Sequence, residues 1–251
     1  MTKDGHKRFA TYDRLGVDYR HVRRPDPRLA TLIEEALGEA ETVLNVGAGT
    51  GSYEPADRQV VAIEPSEVML AQHSGSRRVQ GEAERLPFPD ARFDAAMAIL
   101  TVHHWQDLMR GLMELKRVAG RQVIFTWDPD HDRRLWIATE HVPAIIAMEA
   151  GRFATVSRIV ETLDAHTVRR FEMPHDFTDG FQAAFWRRPE AYLDPRIRAA
   201  SSTFASLPSE LVEPGIAQLR RDLKSGLWAR EHSDLLGLDS VDYGYRVIVA
   251  G

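Results

Sequence analysis

The sequence predicts an α/β fold: a mostly parallel seven-stranded sheet with helices on both faces and a helical cap. Three observations predict it. Short apolar runs alternate with amphipathic stretches between residues 27 and 128, the rhythm of strands joined by right-handed helical crossovers. The first of these runs ends in a turn with glycine at every second position, Gly47-Ala48-Gly49-Thr50-Gly51. The chain closes on another apolar run, Tyr243 to Ala250, which must return to the same sheet.

From Pro27, Leu29, Leu32, Ile33, Ala36 and Leu37 share one face of a helix that Gly38 stops. Thr42 to Val46 is nearly continuously apolar, which suits a strand buried on both faces. Gln59 to Ile63 is the second strand, ended by Glu64-Pro65-Ser66, and Ser66 is placed to cap a helix through Gln72. Arg77 to Gln80 and Phe93 to Leu100 follow as strands three and four. Leu108, Leu112, Leu115 and Val118 mark a helical stripe, and Gln122 to Thr126 is the fifth strand. Beyond Asp128 the rhythm lapses. Residues 129–165 are expected to be helical, Thr167 to Met173 a sixth strand, and 176–236 helical again between Pro189, Pro195, Pro208 and Pro214. The expected organisation is one domain over 1–251: an amino-terminal segment (1–26), a core (27–128), cap inserts (129–165 and 176–238) and a closing strand (240–250).

Composition narrows the function. With 251 residues and 43 % hydrophobic content the chain can bury a large core. A formal net charge of -5 disfavours a nucleic-acid partner, because phosphate neutralisation needs clustered Lys and Arg. There is no cysteine, which excludes disulfides, thiolate metal sites and a cysteine nucleophile. The stretch from Met1 to Phe9 is charged, and no apolar run reaches membrane-spanning length, so a cytoplasmic protein without a membrane partner is expected.

The chemistry concentrates at the strand ends. A dinucleotide turn reads G-x-G-x-x-G and places a pyrophosphate on a helix N-terminus. Here the third glycine comes one place early and Ser52 stands where that pattern wants glycine. The spacing disfavours a nicotinamide dehydrogenase and suits a ligand with an amino-acid tail and a nucleoside, lying against bare backbone. Glu64, at the end of the second strand, is placed to accept both hydroxyls of a ribose. After the third strand, Glu82 or Glu84 can accept from an adenine amino group while a neighbouring backbone N–H donates to a ring nitrogen. Glu82, nearer the strand end, is preferred. His103 and His104 follow the fourth strand, where an open α/β sheet places its ligands, and either is a candidate general base. Being adjacent, they diverge, and no third ligand stands at a recognisable spacing, so no metal site is expected. Trp127, Trp136, Phe177, Phe181, Phe185 and Trp186 are available to build an apolar cap, most of them as plain core.

The ordered set LNVGAGTG, AIEPSEVML and GEAERLPFPDARFDAAMAILTVHHW resembles the class I S-adenosylmethionine-dependent methyltransferases of the type-11 family, over residues 40–127. The resemblance implies a Rossmann-like methyltransferase fold with S-adenosyl-L-methionine as cofactor. By its implication Gly47, Ala48, Gly49 and Gly51 line the methionine and ribose, Glu64 beside Pro65 holds the ribose, and Glu82 with Ala83 holds the adenine. Ile99 and Leu100 would meet the methionine end, and the amino-terminal segment would close as a lid carrying Tyr12 and Tyr19. Two residues depart from the family pattern: Asn45 and Glu82 stand where Asp is usual. The implied activity is methyl transfer to a small-molecule acceptor, hydrophobic or aromatic in character. The alternative is a cofactor-binding protein of the same fold that transfers nothing.

Overall fold

The computed structural model describes residues 22–251. Helix α1 (Pro27–Leu37) is capped by Asp26, whose carboxylate accepts from the Arg28 N–H, and it buries Leu29, Ile33, Ala36 and Leu37. The strands are β1 (Thr42–Val46), β2 (Gln59–Glu64), β3 (Arg78–Gln80), β4 (Phe93–Ile99), β5 (Ala119–Trp127), β6 (Thr167–Pro174) and β7 (Ser240–Ala250). They form one sheet in the order β3-β2-β1-β4-β5-β7-β6. The first five are parallel, and β7 runs antiparallel to both β5 and β6. The strand order reverses between β1 and β4, the point at which open α/β sheets leave a crevice beyond their carboxyl ends.

Residue alternation along the strands assigns the two faces. Val43, Ala95, Met97, Val123 and Phe125 join the core under α1 and the cap. Leu44, Ala96, Ala98 and Ile124 join the core on the opposite face, under α3 (Leu108–Val118) and α5 (Val156–Leu163). Helix α2 (Glu67–Gln72) begins as expected, with the Ser66 hydroxyl accepting from the Met69 N–H. The short helix α4 (Ala144–Glu149) lies between β5 and α5. The cap comprises short 3-10 turns at Gln182–Phe185 and Pro189–Leu193, followed by α6 (Pro195–Ala199), α7 (Ser202–Ser206), α8 (Ser209–Ser225), α9 (Leu227–Glu231) and α10 (Ser233–Leu236). Among the candidate cap aromatics, Trp136, Phe177, Phe185 and Trp186 are core residues. The Trp136 indole donates to the Trp186 carbonyl at 2.8 Å, so its one polar atom is satisfied inside the core.

Two of the differences from the expected strand boundaries have a clear local cause. β5 starts three residues early, because Ala119 and Arg121 pair with Phe93 and Ala95 although Gly120-Arg121 carries no apolar signal. β4 stops at Ile99. Leu100 takes φ +52°, a left-handed conformation unusual for a side chain of its size, and turns the chain into a 3-10 turn at Val102–His104.

Candidate active site

The glycine turn is built for close approach. Gly47, Gly49 and Gly51 all have positive φ, at +71°, +55° and +89°. A Cβ on Gly47 would lie 2.0 Å from Thr101 Oγ1, so the turn is packed directly against the segment that follows β4. The Gly47 and Ala48 N–H groups both donate to the Ile63 carbonyl, at 2.9 and 3.1 Å, tying the turn to β2. Gly49 donates to Glu64 Oε2 at 2.9 Å, and Ser66 N–H donates to Glu64 Oε1 at 3.0 Å. Burial pushes the Glu64 carboxyl above the ordinary carboxylate range, and these two amides draw it back. The result is a buried acceptor at the end of β2, aimed by backbone donors and lining the cleft.

Beyond β3, the two candidate acids separate. Glu84 Oε1 accepts from the Gln106 and Asp107 N–H groups, at 2.5 and 3.1 Å, and so pins the approach to α3. Glu82 is exposed at the cleft beside buried Ala83, and its carboxylate makes no hydrogen bond among the described residues. At the end of β1, Asn45 Nδ2 donates to Glu54 Oε1 at 2.9 Å, which also receives His73 Nε2 at 2.9 Å. His73 Nδ1 accepts from the Gly75 N–H, so the ring proton sits on Nε2 and is donated to Glu54. A carboxylate thus stands immediately behind position 45, and Asn45 itself lines the cleft. Sequence reading missed Glu54, because its link to Asn45 spans the glycine turn.

Ile99, Leu100 and Thr101 line the next stretch of the cleft. His103 is buried and stacks on Phe153, with ring centroids 4.3 Å apart and an interplanar angle of 22°. His104 Nδ1 receives Arg152 Nη2 at 3.1 Å. The rest of the lining is largely aromatic: Trp127, Phe153, Phe181, Tyr243 and Tyr245. It also carries Glu149, whose Oε1 accepts from Gln182 Nε2 at 3.3 Å and Thr203 Oγ1 at 3.4 Å. Burial raises the Glu149 carboxyl to about 7. Glu149 follows the apolar run Ala144–Met148, of which only Ile145 is buried, and nothing in that local sequence marks it as a site residue.

One edge of the cleft is closed by a polar network. Tyr53 OH donates to Asp179 Oδ2 at 2.9 Å and accepts from the Asp26 N–H at 3.3 Å, and Arg23 Nε meets Asp179 Oδ1 at 2.5 Å. Arg23 and Tyr53 both line the cleft, so the segment entering α1 borders it. Tyr12 and Tyr19 lie outside the described residues. Among the described residues no group of three His, Cys, Asp or Glu side chains could hold a metal, and no helix is long and apolar enough to cross a membrane.

The family model for a methyltransferase domain matches residues 44–125. The crystal structure of a putative methyltransferase from an antibiotic biosynthesis pathway of Anabaena variabilis is 33 % identical, with a TM-score of 0.84, covering 92 % of this chain and 99 % of that one. Malonyl-[acyl-carrier protein] O-methyltransferase of Pseudescherichia vulneris is 30 % identical over 172 residues, 62 % of this chain and 66 % of that protein. The rice 2-methyl-6-phytyl-1,4-hydroquinone methyltransferase 1 is 29 % identical over 128 residues, 44 % of this chain and 39 % of that protein. The matches span between about two fifths and two thirds of the length of these curated relatives. Matched along nearly the whole of a solved relative, and by the methyltransferase-domain model over residues 44–125, the chain belongs to the S-adenosylmethionine-dependent methyltransferases of the type-11 family.

Proposed function

We propose that this chain transfers a methyl group from S-adenosylmethionine to a small-molecule acceptor of hydrophobic or aromatic character. The observation that carries the reading is a single cleft. Its lining brings together the glycine turn, Asn45, Glu64 and Glu82 with a set of aromatic side chains and Glu149. When bound, S-adenosylmethionine supplies a methyl group on a positively charged sulfur.

The chain's own residues then have separate tasks. Glu64, already desolvated and aimed by two amides, accepts the ribose hydroxyls, each charge-assisted bond being worth about 1.5–3 kcal/mol. Glu82 accepts from the adenine amino group. The Asn45 oxygen receives the methionine ammonium, and the Glu54 carboxylate behind it supplies the charge. Ile99 and Leu100, the latter held in its left-handed turn, meet the methionine end of the cofactor. The aromatic side chains exclude water and fix a flat or apolar acceptor in line with the methyl group, and orientation of this kind can supply as much as ~7–11 kcal/mol. His103 and His104 line the same cleft as candidate proton acceptors. Of the named relatives, the 2-methyl-6-phytyl-1,4-hydroquinone methyltransferase supports an acceptor of aromatic and hydrophobic character.

Calorimetric titration with S-adenosylhomocysteine, followed by a product assay across phenols, hydroquinones and β-dicarbonyls, tests the reading. The expected result is micromolar or tighter binding and acceptor-dependent formation of S-adenosylhomocysteine from S-adenosylmethionine. Tight binding with no transfer to any acceptor would favour a binding role for the same fold.

A further inference from the structure

The cap wall carries an ionisable group that cofactor binding does not use. Glu149 closes α4 and lines the cleft together with Gln182, Ser201 and Thr203. Gln182 and Thr203 both donate to Oε1, and the Gln182 Oε1 atom accepts from the Ser201 hydroxyl at 3.3 Å, which fixes the amide that orients the carboxylate. Oε2 has no hydrogen-bond partner among the described residues. Two neutral donors on one oxygen hold the carboxylate in place without neutralising it, and the second oxygen is left for the cleft.

The charged and titratable groups around it have other engagements. Arg152 and Arg134 act on Glu149 through space, and neither forms an ion pair with it. Arg134 lies over the Trp127 ring at 5.3 Å and donates to the Pro129 carbonyl. Tyr245, from β7, feels the Glu149 charge and is held neutral by burial. Arg152 donates to His104 Nδ1 at 3.1 Å, so that ring nitrogen is already engaged as an acceptor. The His103 ring is packed between Phe153 and His104.

We infer that Glu149, rather than either histidine, receives the proton of the methyl acceptor, and that the acceptor is a weakly acidic hydroxyl or an enolisable carbon. The inference rests on the methyl-transfer reading. In the step, the acceptor's oxygen or carbon pair forms the bond to the methyl carbon. The carbon–sulfur bond breaks with its pair on sulfur, and the acceptor's proton passes to Glu149 Oε2. A sulfonium and a carboxylate thus become a neutral thioether and a neutral carboxylic acid. A carboxylate acceptor would need no such group, since it carries no proton to lose. A carboxyl raised to about 7 is a stronger base than an ordinary glutamate and is still largely ionised just above neutrality.

Glu149→Gln keeps the shape and tests the assignment. S-adenosylhomocysteine affinity should stay within about twofold of the native value. Carboxyl signals of glutamate-labelled protein, followed by carbon NMR without ligand, should show one group titrating near neutrality that the variant lacks. With a phenol or β-dicarbonyl acceptor, kcat at pH 7 should fall about 100-fold or more with KM little changed, and the residual rate should climb with pH as the acceptor ionises by itself. Native turnover in Glu149→Gln, or a native enzyme that methylates only carboxylates or amines, would overturn the inference alone. A native protein that binds S-adenosylhomocysteine yet forms none from any acceptor would overturn the methyl-transfer reading, and this inference with it.

Discussion

Glu64 shows how much a single residue can disclose. Its two carboxylate oxygens each accept one backbone N–H, from Gly49 and Ser66, and the group is 7 % exposed. A glutamine there cannot reproduce this, because its NH2 group would face one of the two N–H donors. Glu64→Gln should therefore weaken S-adenosylhomocysteine binding about 10- to 100-fold, measured by calorimetry, while circular dichroism stays native. Unchanged affinity would remove Glu64 from the ribose site. Residues of this kind were legible because the β1 turn and the β2 end each carry their signal in a few contiguous positions. Glu54 was not, since its meaning depends on Asn45 Nδ2 and His73 Nε2 arriving at one oxygen from different elements. Glu149 was not, because nothing in its local sequence shows that Gln182 and Thr203 fold back onto it.

At the scale of elements, the parallel strands were readable and the cap was not. β1 is buried on both faces and β2 becomes so over its last three residues, and both appear as nearly continuous apolar runs. The cap is a chain of helices and 3-10 turns, mostly of four or five residues, too short to show a helical period and held by tertiary packing around Tyr192, Trp186 and Trp228. One junction between these parts is polar. Tyr53, in the glycine-turn segment, bonds Asp179 of the cap and the Asp26 N–H that precedes α1. Tyr53→Phe strands a buried N–H and removes one donor from Asp179, leaving Arg23 as its partner. The variant should lose about 1–3 kcal/mol in denaturant unfolding, with the secondary structure preserved. A loss below about 0.5 kcal/mol would mean that the network is decoration on an apolar contact.

Across the whole molecule, the cleft that suits chemistry works against stability, and pH separates the two. The Glu149 carboxyl is raised from 4.5 to about 7 by burial, so folding favours its protonated form. The stability tied to that group is fully present below about pH 4.5 and is lost as pH rises through 7; one pKa unit corresponds to about 1.4 kcal/mol. Asp26 and Asp242 behave oppositely: burial pushes them up, but their arginine partners and backbone donors together outweigh it and hold them low, so their contribution is present near neutrality and lost on acidification. Glu149→Gln removes the first effect and leaves the second. The variant should match the native protein or fall slightly below it at pH 4.5, and exceed it by about 1–3 kcal/mol at pH 8, in denaturant unfolding at both values. The loss of turnover and the gain in alkaline stability would then come from one substitution, as expected where a buried ionisable group is kept for its reactivity. An equal difference at both pH values would show that Glu149 acts through packing rather than through its charge.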